Sequence, residues 1–224
     1  MFRIKIATFL GALAIMLSAY AVPAMSFGQF GFGVSGMGAH IEGSATETLK
    51  EDSTQASASK IINTFIPSGF IQFKFDEPWD FVIGTEHIPG TTELAARTQT
   101  RTHLTSAAGA TTSVTQTAQA EISDHINVYL ESPAFGPLYV KAARGQVSVK
   151  TNESLGTGSV YGDQNVNYTT YGIGLRHHLR DHFFIKFAYE VTDYDSVKLT
   201  SDFGNVIDAS FDTVAAKLSI GANF

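Results

Sequence analysis

The sequence predicts an all-β fold, a transmembrane barrel of eight antiparallel strands in up-and-down order. Three observations predict it. The chain ends in a strand of strict period two, short turns alternate with long polar stretches, and after residue 24 no apolar run reaches the length of a spanning helix.

The terminal strand is the strongest of the three. Val214, Ala216, Leu218, Ile220, Ala222 and Phe224 occupy every second position, and Ala215, Lys217, Ser219, Gly221 and Asn223 lie between them. A period of two gives a strand with one apolar and one polar face. In water such a strand would be an exposed edge that invites aggregation, whereas a closed barrel in lipid has no edge.

At the other end, Arg3 and Lys5 precede an apolar core from Ile6 to Leu17, too short to span a bilayer, and small residues follow up to Ala24. This is the layout of a secretory signal peptide, cleaved after Ala21 or Ala24, with a retained anchor as the competing reading. Residues 1–24 are therefore set apart and 25–224 are assigned to the barrel. That length suits one domain. The formal net charge is −6 and the basic residues are scattered, which argues against a nucleic-acid partner. With no cysteine there is no disulfide framework, thiolate metal site or lipidated cysteine.

Three short connections are legible, at Asp76–Trp79, Glu131–Gly136 and Leu179–His182. Their proline, glycine and acidic residues suit turns. They separate alternating runs: Ile71–Phe75 from Phe81–Gly84, Ile122–Leu130 from Leu138–Ala142, and the run through Tyr171, Ile173 and Leu175 from that through Phe183, Ile185, Phe187, Tyr189 and Val191. A glycine-rich first strand runs from about Phe30 to Ile41. Four polar stretches, 43–60, 89–115, 150–164 and 193–207, read as long loops, the second nearly low-complexity in Thr and Ala. Seven connections imply eight strands, with short turns on one side of the membrane and long loops on the other.

This chain from 25 to 224 resembles the small eight-stranded outer-membrane barrels of Gram-negative bacteria. That group includes the transmembrane domain of outer-membrane protein A, the opacity-type adhesins and the OmpW-like proteins. The resemblance rests on the alternation ending in Phe224, the signal peptide and the rhythm of turns and loops. It implies an outer-membrane location among lipid and lipopolysaccharide. It also implies insertion by the barrel assembly machinery, for which the strand carrying Leu218, Ile220 and Phe224 resembles the recognition element.

An eight-stranded barrel has an interior that side chains can fill. Alternation places Lys74, Glu86, Glu121, Lys141, Arg176, Lys186, Glu190 and Lys217 there. Lys141, Arg176, Lys186, Glu190 and Lys217 are the expected charge network, since unpaired charges in a low-dielectric wall are costly. Such a network is either an ion-paired plug or the lining of a selective pore or proton path. Asp124 and Arg144 fall on the outward phase instead. If Leu130 opposes Leu138, these two face each other as a cross-strand ion pair on the outer wall. The alternative is a β-bulge near Ala143–Gly145 that turns both inward, suggested by the apolar phase of Val147 and Val149.

No catalytic, metal or cofactor site is expected. Ser123, Asp124 and His125 are consecutive on a strand and cannot converge. The histidines around Leu179–His182 offer His178 and His182 to a metal, but sit more simply at the membrane interface. No match to the His-x-Ser arrangement of lipid A deacylase barrels is present. Asp193, Asp195, Asp202 and Asp208 form an acidic loop, read as a solvated face or an oxygen-ligand cation site. Trp79, Tyr168, Tyr171, Phe183, Phe187 and Tyr189 are expected in the interfacial aromatic girdles. The expected role is structural and surface-exposed, with extracellular loops available for adhesion or recognition. A narrow porin-like channel for small solutes or apolar molecules is the alternative, and a lipid-modifying enzyme a more distant one.

Overall fold

The structure, a computed structural model, describes residues 27–48, 53, 55–104, 111–154, 161–179, 182–201 and 204–224, with the backbone alone at 92–104, 111–120 and 152–154. The expected signal peptide, residues 1–24, lies outside the described residues. So does Asp202.

Alternating sequence becomes strand throughout: β1 (Gly28–Thr48), β2 (Gln55–Phe75), β3 (Val82–Leu104), β4 (Thr111–Glu131), β5 (Leu138–Ser154), β6 (Gln164–His178), β7 (Phe183–Tyr194), β8 (Val197–Thr200) and β9 (Val206–Asn223). Neighbours pair antiparallel, and β1 against β9 closes the barrel. The four-residue β8 continues β7 along the same side of β9: Asp193 opposes Asp212 and Val197 opposes Ala209, one residue out of step. The wall therefore has eight staves. Phe224 locks the closing seam: its N–H donates to the Phe30 carbonyl at 2.6 Å, and the Phe30 N–H donates to the Phe224 carbonyl at 3.0 Å.

The first four strands have 21 to 23 residues, about twice what a tilted strand needs to cross a bilayer. Most of 43–60 and 89–115, read from sequence as loops, is strand. Polar Thr, Ser, Ala and Gln positions carry no apolar alternation, yet they pair as hairpin ribbons beyond the lipid, β1–β2 in unbroken register and β3–β4 with shifts between Ile88 and Thr91 and between Glu93 and Ala95.

Along β5 the inside and outside exchange character. Near the turn Leu138 and Val140 face out and Lys141 faces in; farther up, Arg144, Gln146 and Lys150 face out while Val147 and Val149 are buried inside. Outer polar ladders accompany the change, Gln146 to Asn167 at 3.4 Å and Ser148 to Asn165 at 2.9 Å. Inside, Ile122, Val147, Val149, Val166, Tyr168, Tyr194, Val197, Leu199 and Phe211 form an apolar cluster. The hydrophobic effect explains the exchange: lipid rewards apolar residues outside, and water rewards them inside.

This corrects the reading of Val147 and Val149, because β5 stays in phase through Ala143–Gly145. The bulge lies in β4, where Asp124 has φ of 55° and the register with β5 shifts between Ser123 and Ile126. Ile122 and Ser123 are both buried as a result, and Glu121 turns to the outer face opposite Lys150 instead of lining the lumen. The β4–β5 register also differs from expectation. Leu130 opposes Ala142, and Val128 opposes Arg144. The turn folds tightly at Phe135–Leu138, with Gly136 at φ of 61°, and Ser132 pairs back to Val140, so its apex lies nearer β5 than the sequence suggests. Asp124 and Arg144 are therefore not cross-strand neighbours. Arg144 donates to Thr169 Oγ1 at 2.6 Å and pairs with Asp195 at 3.3 Å.

Above the apolar band, Glu42, Asp212 and Asp193 lie side by side on β1, β9 and β7. Partial burial, followed by the Asp193 carboxylate, raises the Asp212 carboxyl above its ordinary value. A raised folded-state value means that the folded protein holds the proton more tightly, so stability falls as pH rises through that range. Asp212→Asn is expected to raise stability at pH 7 by about half a kcal/mol and to change nothing below about pH 3, read as the unfolding midpoint at both pH values.

Candidate functional site

The lumen is built by the inward residue of every second position. Its narrowness shows in aromatic rings laid over glycines of the adjacent strand. Tyr139 lies over Gly174, where an added Cβ would meet its ring oxygen at 2.6 Å, and Tyr129 lies over Gly84 in the same way.

Seven buried charges fill the space between these rings. Toward the short-turn end, Glu131 takes Lys186 at 2.8 Å and also Arg176. Lys186 donates to Gln72 at 2.8 Å, and Gln72 donates on to Asn223 at 2.9 Å. One level up, Lys141 reaches Glu190 at 2.8 Å and Glu86 at 3.4 Å; Lys217 binds Glu86 and stands 3.7 Å from Glu190; Ser68 donates to Glu86 at 2.6 Å. The five residues expected as a network thus meet inside, together with Glu86. The sequence places Glu131 at the start of a turn, although it shares the parity of Asn127 and Tyr129. Four cations face three carboxylates, and aromatic faces answer the excess. The Lys186 ammonium lies 5.1 Å from the Phe184 ring centre and 5.4 Å from Phe70, and the Arg176 guanidinium lies 5.2 Å from Tyr139. Lys74 is inward but stands at the mouth, paired with Asp80 at 2.6 Å.

One space lies within this network and another above it. Within it is a gap of about 20 Å³ lined by Glu86, Glu131, Lys141 and Lys186, room for about one water. Above it, toward the long ribbons, is a cavity of about 260 Å³, with Glu86, Glu190 and Lys217 at its lower boundary. Met37, Ile41, Ile66 and Ile88 supply one wall, and Ser123, His125, Asn127, Tyr168 and Tyr194 another. Tyr168 is inward and almost fully buried, its ring edge-on to His125 at 4.5 Å, which corrects its placement in the aromatic girdle. Trp79, Tyr171, Phe183, Phe187 and Tyr189 are exposed on the outer surface.

The wall beside the upper cavity is incomplete. β2 and β3 pair only from Gly69 opposite His87 to Lys74 opposite Val82. The Phe75 N–H donates to the Phe81 carbonyl at 2.9 Å, which fixes the hydrogen-bonding positions of this ladder. Counting by twos, they are Phe73 with Ile83, Ile71 with Thr85 and Gly69 with His87; the next is Pro67 with Pro89. Neither proline has an N–H, so neither bond of that pair can form. β1 still pairs through Gly36 opposite Pro67, because the missing donor faces β3. Beyond the prolines β2 follows β1 and β3 follows β4, and the seam stands open.

The remaining sequence candidates do not assemble. His182 contacts the Asn223 carbonyl at 3.1 Å and stacks on Phe224. Among the described residues no group of three or more His, Asp or Glu can hold a metal ion. Asp195 is taken by Arg144, and Asp193 lies beside Asp212. Leu218 and Ile220 lie on the lipid face of β9, which Phe224 extends to the seam with β1.

A closed barrel with an apolar belt, aromatic rims and polar ribbons beyond is the architecture of an integral outer-membrane barrel. No protein-family model matches the chain, and neither does any curated protein sequence. Solved structures do match. The outer membrane protease OmpT from Escherichia coli is similar at 8% identity and a TM-score of 0.51, over 91% of this chain and 99% of that one. The outer membrane protein AlkL is similar at 12% identity and a TM-score of 0.48, over 91% and 95%. The attachment invasion locus protein Ail of Yersinia pestis is similar at 16% identity and a TM-score of 0.35, over 86% and 99%. At these identities the likeness concerns the fold alone.

Proposed function

We propose that this protein is a non-conducting outer-membrane barrel that acts at the cell surface, its polar ribbons serving for adhesion or recognition. The observation that carries this reading is the buried network of seven charges, which leaves room for about one water at its own level. The first two hairpins, with strands of 21 to 23 residues, extend well beyond the lipid band. Ser123 and His125 are not hydrogen-bonded to each other: the Ser123 Oγ has no hydrogen-bond partner among the described residues, and the His125 Nε2 is engaged by Tyr194 at 3.3 Å.

Conductance in a planar bilayer tests the reading. Protein shown to be folded by its heat-modifiable mobility is expected to leave the membrane silent. Discrete steps that change size in Lys217→Ala or Glu190→Ala would establish a lumenal channel and overturn it.

A further inference from the structure

We propose that the upper cavity binds a small neutral alcohol or phenol and exchanges it with the outer leaflet through the gap between β2 and β3. Size, lining chemistry and access each support this.

A cavity of 150 Å³ takes benzene, so about 260 Å³ suits a ligand of about ten non-hydrogen atoms. The apolar wall of Met37, Ile41, Ile66 and Ile88 belongs to β1–β3, on the side of the gap. The opposite wall carries two buried polar atoms without partners among the described residues, Asn127 Oδ1 and Ser123 Oγ. Their residues are only 7% and 8% exposed, and both line the cavity. A buried acceptor left unpaired is costly, and a hydroxyl donor satisfies it. The Asn127 amide is already oriented, since its Nδ2 donates to the Tyr168 oxygen at 3.2 Å. Four residues along the strand, the Ser123 hydroxyl can donate or accept, which accommodates a second polar group but does not require one. The floor selects against charge. Lys141 and Lys217 are matched there by Glu86 and Glu190, so an added anion or cation would find no unpaired partner.

Access follows from the prolines. The gap is bordered by Phe65, Ile66 and Pro67 on one side and Ile88, Pro89 and Gly90 on the other, and all six line the cavity. On β1, Gly36 stands opposite Pro67 and also opposite Leu218, a lipid-facing residue of β9, so the gap begins within the apolar band. Phe65 is 72% exposed at its edge. An apolar body facing the gap and a hydroxyl on Asn127 fit this arrangement.

The test uses 2-naphthol, with naphthalene and 2-naphthoate as controls, on the protein in lipid nanodiscs with protein-free nanodiscs as the blank. Saturable binding is expected for naphthol, weaker by about tenfold or more for both controls. Asn127→Leu should weaken naphthol binding by about tenfold, and Ser123→Ala by less. Heat-modifiable mobility of each variant shows that it is folded, and Asn127→Ala serves if Asn127→Leu is not. Replacing both prolines, Pro67→Val with Pro89→Val, restores the two missing donors. It should slow association and dissociation together at unchanged affinity. No saturable binding above the blank, or binding indifferent to the folded Asn127 variant, would overturn the site. Unchanged exchange rates in the double proline variant would overturn the lateral route.

Discussion

Glu131→Gln is expected to destabilise the barrel by about 3–5 kcal/mol, whereas Lys186→Met should cost less than about 1.5 kcal/mol, although the two side chains are partners. The asymmetry follows from the count of charges. With four cations and three carboxylates in the lumen, losing Glu131 leaves Lys186 and Arg176 facing each other with no carboxylate at their level. Losing Lys186 leaves three of each, and Glu131 keeps Arg176. The surroundings of Lys186 also favour its replacement. Its ammonium lies within 6 Å of the ring centres of Phe70, Tyr129, Tyr139 and Phe184, and a thioether of similar length packs well against such rings. Unfolding free energies of both variants in the same lipid or micelle check the order. Equal losses would mean that packing, and not charge balance, governs the plug.

That network shows what parity in a sequence reveals and where it stops. Lys141, Arg176, Lys186, Glu190 and Lys217 are legible as inward because each alternates with apolar residues that must face lipid. Glu131 was hidden by Pro133 and Gly136, which make its segment look like a turn, though the alternation runs on through it. The register of a hairpin depends on where its turn has its apex. The sequence around Glu131–Pro137 is ambiguous by two residues there, and this separated Asp124 from Arg144. The outer halves of β1 to β4 were illegible for a different reason. Beyond the lipid both faces meet water or a ribbon partner, so no apolar period marks them. The open seam, by contrast, was written in the chain. Pro67 and Pro89 are equidistant from the centre of the Asp76–Asp80 turn, but their meaning depends on the phase of hydrogen bonding, which Phe75 and Phe81 supply only in the structure.

Arginine placed along β5 should find its penalties on opposite faces at opposite ends of the strand. Val140→Arg puts a charge on the lipid face and is expected to cost about 2–4 kcal/mol if it lies near the midplane. Gln146→Arg, on the same outer face six residues on, should be neutral within about 0.5 kcal/mol, because its neighbours Asn167 and Arg144 already face water or headgroups. Val147→Arg should cost more than about 3 kcal/mol, since Val147 is 1% exposed within the apolar cluster and a guanidinium there would be buried among apolar side chains. Near the turn the inward face already holds Lys141, so there the lumen accepts a charge and the lipid does not. The three variants, measured by unfolding in one lipid, locate the height at which the rule reverses. A penalty at Gln146 equal to that at Val140 would raise the lipid band above the gap between β2 and β3. A neutral Val147→Arg would mean that the upper end is filled with water. The expected pattern instead makes the upper barrel a dry-cored extension above the plug.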